Sequence, residues 1–244
     1  LRAFNFSANT GDAEVWGSQL KLDSRSASFI NGVSAHAYEL DDSGGCDHSG
    51  AVVLPAALAA LSDVSAPVSG RRFLTAIMAG YEVGRRVLEA CGGYSPHNEL
   101  GWHSTGTCGV FGAAAAAGVL FDFDAEQHAS ALGIACSYAG GTWAFIHDGS
   151  QTKKLHAGLA AEGGLIAAKL NEAGFAGPIS VFDDKGWGNF FTTFDRDAKY
   201  AGLLNTDCGD FWRVNRCSIK PYATCRGTHS AIDVMEKILV EYGV

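Results

Sequence analysis

The chain has 244 residues, of which 47% are hydrophobic, enough for one large domain or a domain and a half, with ample core volume. No uninterrupted apolar run reaches membrane-spanning length, and a formal net charge of -8 argues against nucleic acid or an anionic membrane as the main partner. The seven cysteines, an odd number without a CxxC pair, give no disulfide framework or zinc ribbon and point to reduced thiols in a cytosolic protein. The first twenty residues lack the basic-then-apolar start of a signal peptide, and the missing initiator Met is expected to reflect a trimmed N-terminus.

In chain order, residues 36–61 (HAYELDDSGGCDHSGAVVLPAALAAL) set two adjacent acids, a double glycine and His48 ahead of an apolar helix. That helix is expected over 54–63, with Pro55 in its first turn, where a missing N–H costs nothing. A second runs over 70–91 behind Ser69 as N-cap, with Phe73, Ile77, Tyr81 and Leu88 at helical spacing. The segment 109–120 (GVFGAAAAAGVL) reads as a helix whose small residues let neighbours approach closely. Asp124 caps a helix over 125–138, with Gln127 in capping-box position. Two more run over 153–173, ended by Gly174, and over 229–242, ended by Gly243. Between them, 175–220 is aromatic and glycine-broken, an ordered connection with short helices and one loosely alternating strand-like piece over 211–222. The fold is expected to be mostly α, with a helical domain over 1–214 and a second domain beginning over 215–244.

Basic and imidazole side chains recur where helices start. His48 precedes the helix near Leu54, His103 precedes STGTCGVFG, Lys153 opens KKLHAGLAAEGG, and Cys225 and Arg226 precede the helix from His229. The positive end of a helix dipole disfavours cations, so capping does not explain them. An anion held between a basic side chain and free helix N–H groups does. If several such starts converge, they form a pocket for a polycarboxylate. The bland readings are that Asp41 and Asp42 only cap a turn, that one of Lys153 and Lys154 is solvated, and that His36, His97, His128 and His147 are surface or core residues. A metal site from Asp41, Asp42, Cys46 and His48 lacks any standard ligand spacing.

Six ordered blocks carry a resemblance over nearly the whole chain: NGVSAHAYELDD, HSGAVVLPAALAAL, AGYEVGRR, GWHSTGTCGVFGAAAAA, DGSQTKKLHAGLAAEGGLIAAKLNEAGFAGP and IKPYATCRGTHSAID. The chain resembles the MmgE/PrpD family, which includes 2-methylcitrate dehydratase, cis-aconitate decarboxylase and iminodisuccinate epimerase. The resemblance implies a large all-α domain, a smaller α+β lid domain, a homodimer, and catalysis without metal or organic cofactor. Block by block it places Glu39, Asp41 and Asp42 in the acidic motif and Ser43 at a hydroxyl position. His48, His103 and Lys153 fall at the family's histidine and lysine positions. Cys225 stands where decarboxylase-type members carry histidine, which leans towards dehydratase or epimerase membership. Family chains are longer at both ends, so this one is expected to stop just after the lid begins.

Such substrates share removal of a proton from a carbon beside a carboxylate or imine. On this reading Lys153 and helix N–H groups hold a carboxylate, with Ser43, Glu39, Cys225 and Arg226 also at the substrate. His48 and His103 share acid and base duties, and Asp41 or Asp42 orients His48 or receives the substrate hydroxyl. The expected activity is that of a 2-methylcitrate dehydratase-like lyase. The alternatives are an isomerase of an iminodisuccinate-like substrate and an inactive carboxylate-binding fragment.

Overall fold

The computed structural model of the chain describes residues 11–183, 187–196 and 199–243. Strands β1 (Ala13–Glu14) and β2 (Lys21–Leu22) form a short antiparallel ladder ahead of helix α1 (Ser24–His36). α1 is not among the expected elements, although Asp23 caps it by accepting from Ser26 N. Its buried side is small and partly polar (Ala27, Ser28, Asn31, Gly32), so apolar periodicity is weak there.

Strand β3 (Asp42–Ser43) leads into α2 (Ser49–Ala60). α2 starts five residues before the expected Leu54, and Pro55 lies inside it rather than in its first turn. The early start has a non-local cause: Asp42 Oδ1 accepts from Gly50 N at 2.8 Å and so caps the helix from the preceding strand. α3 (Gly70–Ala90) begins as expected, with Ser69 accepting from Arg72 N. After it come α4 (Tyr94–Glu99), α5 (Ser104–Thr107), α6 (Gly109–Leu120), and α7 (Ala125–Ala135) with the Asp124–Gln127 capping box in place. α8 (Thr152–Glu172) and α9 (Phe190–Phe194) follow. The strand-like piece shrinks to β4 (Ser218–Ile219), and α10 (His229–Tyr242) ends at Gly243 in the left-handed conformation.

α6 is buried nearly all round and forms the hub, packed by α2, α3, α7 and α8, while α1 covers α2 and α8. Small residues set these spacings. A Cβ on Gly164 of α8 would stand 2.4 Å from Ala113 Cβ and 2.5 Å from Val110 O of α6. Gly164→Ala is therefore expected to lower stability by on the order of 2 kcal/mol through overpacking, measured by chemical denaturation. A midpoint equal to the parent's would show that the α6–α8 spacing can relax. The aromatic connection supplies Phe190 and Phe191, both fully buried, which cluster with Phe111 and Phe182. Among the described residues no helix is long and apolar enough to cross a membrane.

Candidate active site

The two adjacent acids, Asp41 just before β3 and Asp42 its first residue, turn to different partners. Asp42 turns inward, where Gly50 N and the Tyr81 hydroxyl donate to it; burial pushes its carboxyl up against those bonds. Asp41 turns the other way, and its Oδ2 lies 2.8 Å from both His36 Nδ1 and His48 Nδ1. β4 pairs antiparallel with β3, Asp42 opposite Ile219 and Ser43 opposite Ser218, and so delivers Lys220. Lys220 Nζ lies 2.7 Å from Asp41 Oδ1 and donates to Glu39 O at 3.1 Å. Burial alone would raise the Asp41 carboxyl, but the two imidazoles and Lys220 hold it far below the usual carboxylate range. An ionised carboxylate only accepts, so His36 and His48 each carry a proton on Nδ1, and the catalytic possibilities of His48 rest with Nε2.

The double glycine makes this pairing possible. Gly44 has φ 93°, and a Cβ there would meet Arg216 O at 2.2 Å, just before β4. Two residues with side chains also hold positive φ here, Glu39 at 55° and Asp47 at 91°. Each such residue costs about 1–2 kcal/mol, and both sit at the site.

A cleft of about 450 Å³ opens over His48 and is also lined by Glu39, Ser43, Asp47, Lys153, Cys225 and Arg226. Arg85, Tyr94 and Trp143 complete most of its wall. Lys153, in the first turn of α8, pairs with Glu39 and lies 5.8 Å from the centre of the Trp143 ring. Burial is the largest single influence and pushes the Glu39 carboxyl up, but the Lys153 hydrogen bond together with the charges of Lys153 and the nearby imidazoles holds it low. Asp47 Oδ2 lies 3.4 Å from His48 Nε2 and 3.7 Å from His103 Nε2. Against its burial, the charge on His48, the hydrogen bond from His103 and the nearby Lys153 ammonium bring its pKa down to about 2. His103 itself is fully buried, 2.9 Å by Nδ1 from His156 Nδ1, and burial pushes it down to about 4.

Six of the nine residues picked from sequence therefore line one cleft: Glu39, Ser43, His48, Lys153, Cys225 and Arg226. Asp41 stands behind His48, His103 lies beneath Asp47 without lining the cleft, and Asp42 faces the start of α2. His36 is a fully buried core histidine, within the bland reading, and it shares Asp41 with His48. Sequence reasoning passed over Asp47, Lys220 and His156. The spacing of Lys153 and His156, three apart on one helix face, was the one local signal for the last.

Among the described residues, two groups bring potential metal ligands together, His36–Asp41–His48 and Asp47–His48–His103. In the first, the Lys220 ammonium already supplies the cation that Asp41 faces. Cys46, weighed as a ligand from sequence, is buried against Ser49, and its thiol is pushed up by burial, which disfavours the thiolate.

Residues 2–201 match the MmgE/PrpD N-terminal domain. The chain belongs to the MmgE/PrpD family. Among curated relatives, the cis-aconitate decarboxylase-like protein oryM of Aspergillus oryzae is 35% identical over 95% of this chain and 50% of its own length. Cis-aconitate decarboxylase of Aspergillus terreus is 32% identical over 95% of this chain and 49% of its own. The human cis-aconitate decarboxylase is 34% identical over 78% of this chain and 41% of its own. The chain thus spans about half the length of the two Aspergillus relatives. Lys220, Cys225 and Arg226 lie beyond the segment that matches the MmgE/PrpD N-terminal domain.

Proposed function

We propose that the protein carrying this chain is a lyase that removes a proton from the carbon beside a carboxylate of a polycarboxylate, as a 2-methylcitrate dehydratase-like enzyme. The observation that carries the reading is His48: its Nδ1 is anchored to Asp41, and it is the only imidazole among the described residues to line the cleft. Lys153 and Arg226 line the same cleft and suit a substrate carboxylate. His48 Nε2 takes the α-proton, the C–H electrons form the alkene, and the C–O bond breaks. The same proton, now on His48, goes to the departing hydroxide and leaves as water. Asp41 stabilises the imidazolium between those two transfers. His103 supports the site through Asp47 rather than by touching substrate.

Decarboxylation of cis-aconitate is the second reading, favoured by the names of the relatives. Cys225 weighs against it, because that wall of the cleft presents a thiol where the family resemblance expects an imidazole in decarboxylases. The proposal further takes residues 215–244 as the start of a lid domain. It also includes a homodimer, a cytoplasmic setting and chemistry without a resident metal or organic cofactor.

Proton NMR in heavy water, with 2-methylcitrate, citrate, cis-aconitate and iminodisuccinate offered singly to the full-length protein, tests the reading. A new alkene signal from a hydroxy acid supports dehydration, and loss of carbon dioxide from cis-aconitate supports the second reading. Loss of the α-proton without elimination marks an epimerase. His48→Asn is expected to reduce turnover by about 10³-fold while the variant stays folded. Full activity in that variant would remove His48 from the proton transfer.

A further inference from the structure

Asp47 has no role in the proton transfer above, yet it holds a strained position in the cleft wall. It adopts φ 91°, a backbone conformation that L side chains rarely take, directly before His48. Its side chain is only 15% exposed, between two imidazole nitrogens at 3.4 and 3.7 Å. Of the other charges on the wall, all but Arg226 are balanced locally. Glu39 meets Lys153 and Lys220, and Arg85 meets Glu89. Of the imidazoles beside Asp47, His103 is neutral at pH 7, because burial brings it to about 4. At the exposed mouth, Arg226 has no ion pair among the described residues. The cleft is thus polarised, with an anion at its inner end and a free cation at its mouth.

We infer that Asp47 is a specificity-determining residue: the inner end of the cleft accepts a hydrogen-bond donor borne by the substrate, a hydroxyl or an ammonium, and rejects a carboxylate there. The inference rests on the reading of the cleft as a carboxylate site. A substrate carboxylate reaches Arg226 and Lys153, which leaves the substituent on the neighbouring carbon facing Asp47. An O–H or N–H donates to the Asp47 carboxylate. A second carboxylate would set two anions side by side against the largely buried Asp47, where like charges repel strongly. The hydroxyl that leaves in a dehydration is a donor of this kind, whereas cis-aconitate offers none.

Calorimetric titration of the full-length protein at pH 7.5 with four matched compounds tests this. Succinate carries hydrogen at the position in question, malate a hydroxyl, aspartate an ammonium and ethane-1,1,2-tricarboxylate a carboxylate. The parent is expected to bind malate or aspartate about 10-fold tighter than succinate, and the tricarboxylate about 10-fold weaker. Which of malate and aspartate gains more separates the hydroxyl from the ammonium. Asp47→Asn, which keeps the size and tolerates positive φ, is expected to bring all four within about threefold of succinate, with succinate itself unchanged. Equal binding of all four by the parent overturns the inference alone. So does an Asp47→Asn variant in which all four weaken together, since that is what a structural role would do. A parent that binds none of them overturns the carboxylate reading and this inference with it.

Discussion

Lys220→Met will cost the protein about 3 kcal/mol of stability and roughly a hundredfold in turnover. The Lys220 side chain is 1% exposed, and its ammonium faces Asp41 Oδ1 at 2.7 Å, Glu39 O at 3.1 Å and Glu39 Oε2 at 3.4 Å. The ammonium is therefore surrounded by three oxygens, two of Glu39 and one of Asp41. Methionine fills similar space but leaves Asp41 buried with one oxygen unpaired, and an uncompensated buried charge is the expensive case. Turnover falls because Asp41 orients His48 by the same carboxylate. The partner variant Asp41→Asn separates the two effects. If the ion pair is the cause, the double variant loses less stability than the sum of the singles, by about 1–3 kcal/mol in a double-mutant cycle. Denaturant melts measure the stability, and turnover is read where every variant is folded. Additive losses would mean that Lys220 acts through packing alone.

This network was the least legible part of the site. Glu39 and Lys220 are 181 residues apart, and they meet only because β3 and β4 pair. Nothing in a strand of two residues announces its partner. Adjacent acids were equally opaque as a pair, because Asp41, just before β3, and Asp42, its first residue, differ only in the partners each meets in the fold. The start of α2 misled for a related reason: His48 makes no side-chain capping bond there, and Asp42 supplies the cap from outside the helix. What local chemistry determines was readable. Ser69 and Asp124 cap α3 and α7, Gly243 ends α10, and the alanine–glycine run forms α6. The clustering of basic residues at helix starts was also legible, since a cation there works against the dipole and asks for a ligand. Asp47 carried no such mark, as one more acid in a glycine-rich loop; its positive φ is a property of the folded chain.

The same burial that builds the site makes it sensitive to acid. His36 and His103 are fully buried, and burial holds both at about 4, against an ordinary value of 6.5. Between those values the unfolded chain binds protons that the folded chain refuses, so stability rises with pH across the window and is lost as pH falls through it. From pH 7 to pH 5 each histidine removes on the order of 2 kcal/mol. Together they lower Tm by about 10 °C in a chain of this size. His156, also lowered by burial, adds in the same direction. His97 opposes them: burial pushes it down, but Cys108 and Asp195 together leave it raised. Asp41, Asp47 and Glu39, held low, contribute stability above the ordinary carboxylate range that is lost only as pH falls through their folded values. The loss above pH 5 is therefore a histidine effect, and His103→Gln should remove about half of the Tm difference between pH 7 and pH 5, whatever it does to Tm itself. A Tm that stays level over that interval would mean that the two imidazoles are already protonated in the fold, and that Asp41 and Asp47 face cations rather than neutral rings.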